Sequence, residues 1–288
     1  MKRRRDGYRV SNLDYHHFML PYIKKDRCDS DVYSVYKFDM TNVVKYLKNK
    51  RENDKESHLT YFHIFVTVVG KYLYNRPKMN RFVVNKTTYQ RNKVQVSFVG
   101  KESFTDDASL FMKVLDIEPD DNLDTISKKC YDIVKNIRDK EDKMADTAYN
   151  KVARLPFIIR VLAMYVAKIL DKVDLLPKSF IKDNYFYSSV LITDVGSLGN
   201  GPVYHDLANF GTNSIIFGIG KIHKEKIINE NNEEVIRDIC DVGVTIDERI
   251  GDGFYFIKSL QLIQKIFDNP ELLEEACSTL IDDDELKQ

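Results

Sequence analysis

The segment from Ser188 to Pro270 constrains the fold most, because its apolar residues come in short β-branched runs cut by glycine and then give way to a helix. SSVLITDVGSLGNG sets an apolar strand against a glycine-rich turn, and SIIFGIGKIHK and CDVGVTID read as two further strands. Asp252 and Gly253 open a closing helix, FYFIKSLQLIQKIF, which ends near Asn269–Pro270.

The upstream chain alternates helix and strand patterns. VYSVYKF (32–38) reads as a strand, and Asp39, Met40 and Thr41 offer N-cap chemistry for a helix through Val43, Val44 and Leu47. Thr60 is placed to cap a helix in which Phe62, Phe65, Val66, Val69, Tyr72 and Leu73 recur at three- and four-residue spacing until Arg76–Pro77. Strands are expected over 81–84, 93–99 and 110–115, and an amphipathic helix lies between Asp121 and Lys143. Residues 155–170 read as a further, largely buried helix before a Pro177 loop. Residues 1–30, with His16–His17 and a Pro21 that limits any helix there, read as a docking arm. No repeat or linker divides the rest, so 31–276 is expected to be one domain and 277–288 an acidic tail.

Composition narrows the function classes. A chain of 288 residues with 43% hydrophobic residues can bury a sizeable core. Its 44 basic residues balance 44 acidic ones, so no overall field gathers nucleic acid or lipid around it. The basic run Lys2–Arg5 is followed by no apolar stretch and no cleavage site, which favours a cytoplasmic protein. The apolar run 155–170 is too short, and too interrupted by Arg160 and Lys168, to span a bilayer, so no membrane partner is expected. Cys28, Cys130, Cys240 and Cys277 lie far apart without a Cys-x-x-Cys pair, which suggests reduced thiols. His16, His17, His58, His63 and His223 show no metal-ligand spacing with nearby carboxylates, so no metal is expected.

Three stretches resemble the catalytic domain of the dihydrolipoyl acyltransferases of 2-oxoacid dehydrogenase complexes. The first is VYKFDMTNVVKYLKNKR followed by LTYFHIFVTVVGKYLYNRPKMNRF. VLITDVGSLGNG with SIIFGIGKI, the second, is similar to the family's Thr-x-Ser-Asn-x-Gly turn and next strand. The third, VTIDERIGDGFYFIKSLQLIQKIFDNPELLE, resembles its last strand, His-x-x-x-Asp-Gly loop and closing helix. The resemblance implies a mixed α/β two-layer sandwich of the chloramphenicol acetyltransferase type, with a large, mainly antiparallel sheet. It also implies coenzyme A thioesters as substrates, and a homotrimer whose channels lie between subunits, so that Glu248 of one subunit faces Thr193 of the next.

The chain departs from the pattern at the family's catalytic histidine, where it has Glu248, while Arg249, Asp252 and Gly253 stay in register. By the resemblance that histidine takes the proton of an attacking thiol, Thr193 supplies the hydroxyl that binds the oxyanion, and Asp252 holds the loop. Glutamate is ordinarily about two pKa units less basic than histidine, which costs only about tenfold if half the difference reaches the transition state. The stronger objection is charge, since an unprotonated carboxylate raises the energy of a nearby thiolate and oxyanion.

Each candidate also has a plainer reading. Glu248 would pair with Arg249 or another cation at a turn; Asp252–Gly253 would be a tight turn and helix start; Thr193 would be an ordinary strand residue. His205 is a substitute base or a surface residue. Gly196, Ser197, Gly199 and Gly201 form a turn that leaves backbone room for a pantetheine arm, with His205 and Gly253 completing the substrate-binding set. Two function classes follow: a CoA-dependent acyltransferase with altered base chemistry acting on a thiol, hydroxyl or amine, or a non-catalytic trimer that binds acyl-CoA or serves as a scaffold.

Overall fold

The computed structural model describes residues 3–54, 58–101, 105–107, 110–138 and 148–282, and the descriptions below concern these residues. The elements run β1 (Gly7–Arg9), α1 (Tyr15–Ile23), β2 (Asp31–Asp39), α2 (Thr41–Asn53), α3 (Tyr61–Asn75), β3 (Arg81–Val84), β4 (Thr87–Arg91), β5 (Val94–Lys101) and β6 (Leu110–Ile117). There follow α4 (Leu123–Arg138), α5 (Ala148–Ala153), α6 (Phe157–Lys172), α7 (Lys178–Ile181), β7 (Val190–Asp194), β8 (Ile215–Ile228), β9 (Glu234–Asp247) and α8 (Gly253–Asp268). The expected strands and helices of the Val32–Val99 region are present, as are the two long strands and the closing helix after Ser214. The part of the expected Asp121–Lys143 helix beyond Arg138 lies outside the described residues.

Six strands form one mixed sheet in the order β2-β9-β8-β7-β5-β6, with β5–β7 and β7–β8 parallel and the other pairs antiparallel. A small antiparallel sheet, β1-β4-β3, stands beside it. One face of the large sheet presents Phe38, Val96, Phe98, Val190, Ile192, Phe217, Val242, Val244 and Ile246 to a helical layer of α2, α3, α4 and α8. This is the two-layer sandwich expected.

The centre of that layer is α3, in which Ile64 through Leu73 are all buried. Thr60 caps it by accepting from the backbone N–H of His63, while the Thr60 N–H donates to His63 Nδ1, a reciprocal pair that satisfies two donors. Burial holds His63 down at a pKa of about 4, so the ring stays neutral and keeps that acceptor. At α8, Asp252 accepts from the Tyr255 N–H at 2.8 Å, the expected helix start. Before α2 the cap is shared: Asp39 accepts from the Thr41 N–H, and the Thr41 hydroxyl accepts from Asp238 N–H.

Two expectations change. Pro21 falls inside α1, two residues before its end, rather than at its boundary. The helix α6 forms where expected but is not largely buried: only Ala167 and Asp171 are buried along it, while Phe157, Ile158, Ile159, Val161, Leu162, Tyr165, Val166 and Ile169 are exposed. The periodicity identified a helix; it did not contain the surface that would cover it.

Candidate active site

The end of β9 is fixed by a buried ion pair. Asp247 Oδ1 accepts from Arg249 Nε at 2.8 Å and Oδ2 from Arg249 Nη2 at 2.7 Å, and neither side chain meets solvent to any extent. The Asp247 N–H donates to the Ser214 carbonyl, which ties this corner to the start of β8. Arg249 then reaches outward, its Nη1 donating to the carbonyls of Lys24 and Lys25 just past α1. A cation at the carbonyl end of a helix satisfies orphan acceptors and the helix dipole together. The N-terminal segment is thereby locked to the last strand.

That lock sets the surroundings of Glu248, the first residue of a 3-10 turn, Glu248–Ile250. Its Oε1 forms an ion pair with Lys24 Nζ, and both side chains remain about one-third exposed, at 32% and 36%. Of the two pairings expected for Glu248, the structure selects the other cation; Arg249 is engaged by Asp247. Close by, buried Arg27 donates to the carbonyls of Ala208 and Val83. Desolvation lowers its pKa, and nearby Asp247 opposes that shift.

Thr193 sits on β7 in register with Gly218 of β8, which is in register with Gly243 of β9 and Val35 of β2. All four point away from the helical layer, since their neighbours Ile192, Phe217, Val242 and Val244 point into it. Thr193 Oγ1 is buried and has no hydrogen-bond partner among the described residues. A buried hydroxyl left without a partner costs about 1–3 kcal/mol.

The turn after β7 is held by its own carboxylate. Asp194 Oδ1 accepts from the Ser197 N–H at 3.1 Å, and burial of Asp194 raises its pKa against those backbone contacts. A side chain at Gly196 would lie 2.3 Å from the Gly220 carbonyl oxygen, so close packing on β8 requires glycine there. The following chain crosses the open sheet face: Val203 O sits where a side chain on Gly218 would begin, 2.1 Å away. Gly199 ends the turn in the left-handed region at φ 80, and both it and Gly253 face open space. His205 is exposed on this crossing segment, with no hydrogen bond among the described residues. The segment is pinned beyond it by Tyr33 Oη, which donates to Asp206 Oδ1 at 2.6 Å, and by the Leu207 N–H on Asp31.

Within one chain the two halves of the candidate site are apart. From the Thr193–Gly218–Gly243 row, β9 runs four more residues to Asp247, about 13 Å along the strand, and β7 and β9 are two strand spacings, about 10 Å, apart. Thr193, Gly196, Ser197 and Gly199 thus form one group, and Glu248, Asp252 and Gly253 another. Sequence reading missed Lys24 and Asp247. The Asp-x-Arg spacing of 247 and 249 was a visible signal, whereas nothing in the sequence ties Lys24 to a residue 224 positions away.

Known proteins share the sequence pattern of part of this chain and the fold of nearly all of it. The model of the 2-oxoacid dehydrogenases acyltransferase (catalytic domain) family matches residues 182–274, which include β7 and its glycine turn, β8, β9, the Glu248 turn and α8. No curated protein sequence matches. Among solved structures, the chain is similar to the probable dihydrolipoamide acetyltransferase of Listeria monocytogenes 4b F2365, with 15% identity, 91% of this chain and 95% of that one covered, and a TM-score of 0.58. The cubic core of a pyruvate dehydrogenase multienzyme complex gives 12% identity over 92% and 93%, with a TM-score of 0.61. Chloramphenicol acetyltransferase gives 12% identity over 91% and 98%, with a TM-score of 0.54. The chain therefore has the fold of these acetyltransferases, and residues 182–274 carry the sequence pattern of the 2-oxoacid dehydrogenase acyltransferase catalytic domain.

Proposed function

We propose that this protein is a CoA-dependent acyltransferase working as a homotrimer, in which the Glu248–Lys24 pair of one subunit replaces a catalytic histidine and meets Thr193 of its neighbour. The observation that carries the reading is the ion pair itself. A lone carboxylate would repel the charge that develops during attack on a thioester, but a carboxylate with an ammonium is neutral overall. When it takes a proton, the pair becomes a neutral acid beside a cation. The change from net zero to net positive is the one a histidine undergoes.

In this reading the S–H proton of the acceptor passes to Glu248 as its sulfur forms a bond to the thioester carbonyl carbon. Thr193 Oγ1, unpartnered among the described residues, donates to the resulting oxyanion. Collapse breaks the carbon–sulfur bond to coenzyme A, and the departing thiolate recovers the proton from Glu248. A thiol acceptor suits this weak base best, because an ordinary thiol pKa near 8.5 lies far below that of an alcohol. Coenzyme A enters as a substrate, and Gly196, Ser197 and Gly199 are the candidates to line its arm. Gly253, at the open start of α8, and exposed His205 are candidates for the acceptor side.

A second reading rests on the same contact: Lys24 ties Glu248 down, and the trimer binds acyl-CoA without turning it over. A panel of acyl-CoA esters separates the two, scored by thermal shift and by release of free CoA in the presence of a dithiol. Stabilisation with CoA release supports the enzyme; stabilisation without release supports the binding protein; neither response removes both. Light scattering on the same sample tests the shared site, which a monomer at micromolar concentration would rule out.

A further inference from the structure

We infer that α6 is a membrane-surface anchor that lays its apolar face into the headgroup region of an anionic lipid bilayer. The inference is independent of the chemistry proposed for Glu248 and Thr193, and α6 lies before the segment that carries the acyltransferase pattern.

The helix has two unlike sides. Ala167 and Asp171 are buried against the protein, where Arg4 binds Asp171 at 2.9 Å and Ala167 packs in a small cluster with Leu176 and Tyr187. On the opposite side Ile158, Leu162, Tyr165 and Ile169 follow one another at four-, three- and four-residue steps, a single stripe at helical period. They are 78%, 61%, 64% and 45% exposed, and exposed Ile159, Val161 and Val166 widen the stripe. Phe157 at one end and Val173 and Leu175 at the other extend it, all three exposed. Apolar surface this continuous is uncommon on a lone soluble chain and marks a contact.

Charge identifies what makes the contact. The chain has no net charge, yet residues 160–182 hold five basic residues, Arg160, Lys168, Lys172, Lys178 and Lys182, against two acidic ones. Both acids are engaged within the protein, Asp171 by Arg4 and Asp174 by Arg5. Lys168, Lys172, Lys178 and Lys182 are exposed, and Lys168 and Lys172 lie one turn apart along an edge of the stripe. Long cationic side chains beside an apolar stripe can run their stems along it while the ammonium groups reach phosphates. A second copy seated symmetrically on the same face would bring two basic surfaces together, which an anionic lipid surface does not; a neighbour in the proposed trimer would meet the face with a different surface, and the oligomeric state of the variants below separates that case. At 16 residues α6 is too short to cross a bilayer, and among the described residues no helix is long and apolar enough to do so. An amphipathic basic helix of this kind lies in the interface plane.

The test is flotation of the full chain with vesicles of phosphatidylcholine alone and of phosphatidylcholine containing about 30% phosphatidylglycerol. The expected result is at least about tenfold more protein on the anionic vesicles, lost in ~0.5 M salt. Ile158→Glu with Leu162→Glu should abolish it, and Lys168→Glu with Lys172→Glu should reduce it to the neutral-vesicle level, with melting temperatures unchanged because these side chains are exposed. Equal, low recovery on both vesicles overturns the inference, as does binding that the Ile158→Glu, Leu162→Glu variant retains. If that variant instead dissociates an oligomer while the wild type ignores vesicles, the face belongs to a second copy and the membrane assignment is wrong.

Discussion

The two halves of the candidate site differ in how their polar groups are satisfied. At the end of β9, Asp247, Arg249, Lys24 and Glu248 form a closed set in which each charge has a partner, and two of the four are fully buried. On the outer face of β7, Thr193 presents a buried hydroxyl with none among the described residues. The first arrangement is complete in one chain and depends on a contact between the N-terminal segment and the last strand. The second has no partner among the described residues, and in the function proposed above the oxyanion supplies one. Changes at the buried Asp247–Arg249 pair should therefore register as stability, and changes at Thr193 and at the partly exposed Glu248–Lys24 pair as function.

The largest expected effect is on the closed half. Arg249→Ala leaves Asp247 buried without its cation and frees the end of α1, so denaturant unfolding should show a loss of about 3–5 kcal/mol. A loss below about 1 kcal/mol would mean that Asp247 relaxes to solvent and that the corner is not closed at all.

The open half should respond in the opposite manner. Thr193→Val removes a hydroxyl that has no partner among the described residues, so stability should stay level or rise by up to about 1 kcal/mol, while acyl transfer falls about a hundredfold. A destabilised Thr193→Val protein would reveal a partner within the chain and erase the distinction between the halves.

The smallest effect concerns the link between them and the solvent. Lys24→Met breaks a pair whose side chains are about one-third exposed, so the melting temperature should move by no more than the equivalent of about 1 kcal/mol. The acyl-transfer rate should nevertheless fall about tenfold, because Glu248 loses the cation that balances its charge. A rate increase would identify Lys24 as a lock and favour the binding-protein reading.

Most of the fold was legible in the sequence where the signal is local. Strand alternation in VYSVYKF, the Thr60 and Asp252 caps and the glycine turn after Asp194 all depend on residues within a few positions of one another. What was not legible depends on distant contacts. The helices α3 and α6 have similar apolar patterns, yet α3 is buried through Ile64–Leu73 and α6 is open along most of its length. Periodicity specifies a face and is silent about what covers it. The same limit hid Lys24, which meets Glu248 only because α1, Pro21 included, is drawn against β9 by Arg249. The crossing of Val203 over Gly218 was hidden likewise, since a glycine records that something is close without recording what.

The most direct test of the central claim is the rate of acyl transfer from acetyl-CoA to a dithiol by the wild type and by Glu248→Gln, which keeps the shape of the side chain and removes its ability to take a proton. The account predicts measurable transfer by the wild type and a fall of at least about a hundredfold in Glu248→Gln, with acetyl-CoA binding retained. Equal rates in the two proteins would contradict it, and the proton acceptor would then have to be sought elsewhere on the outer face, beginning with His205.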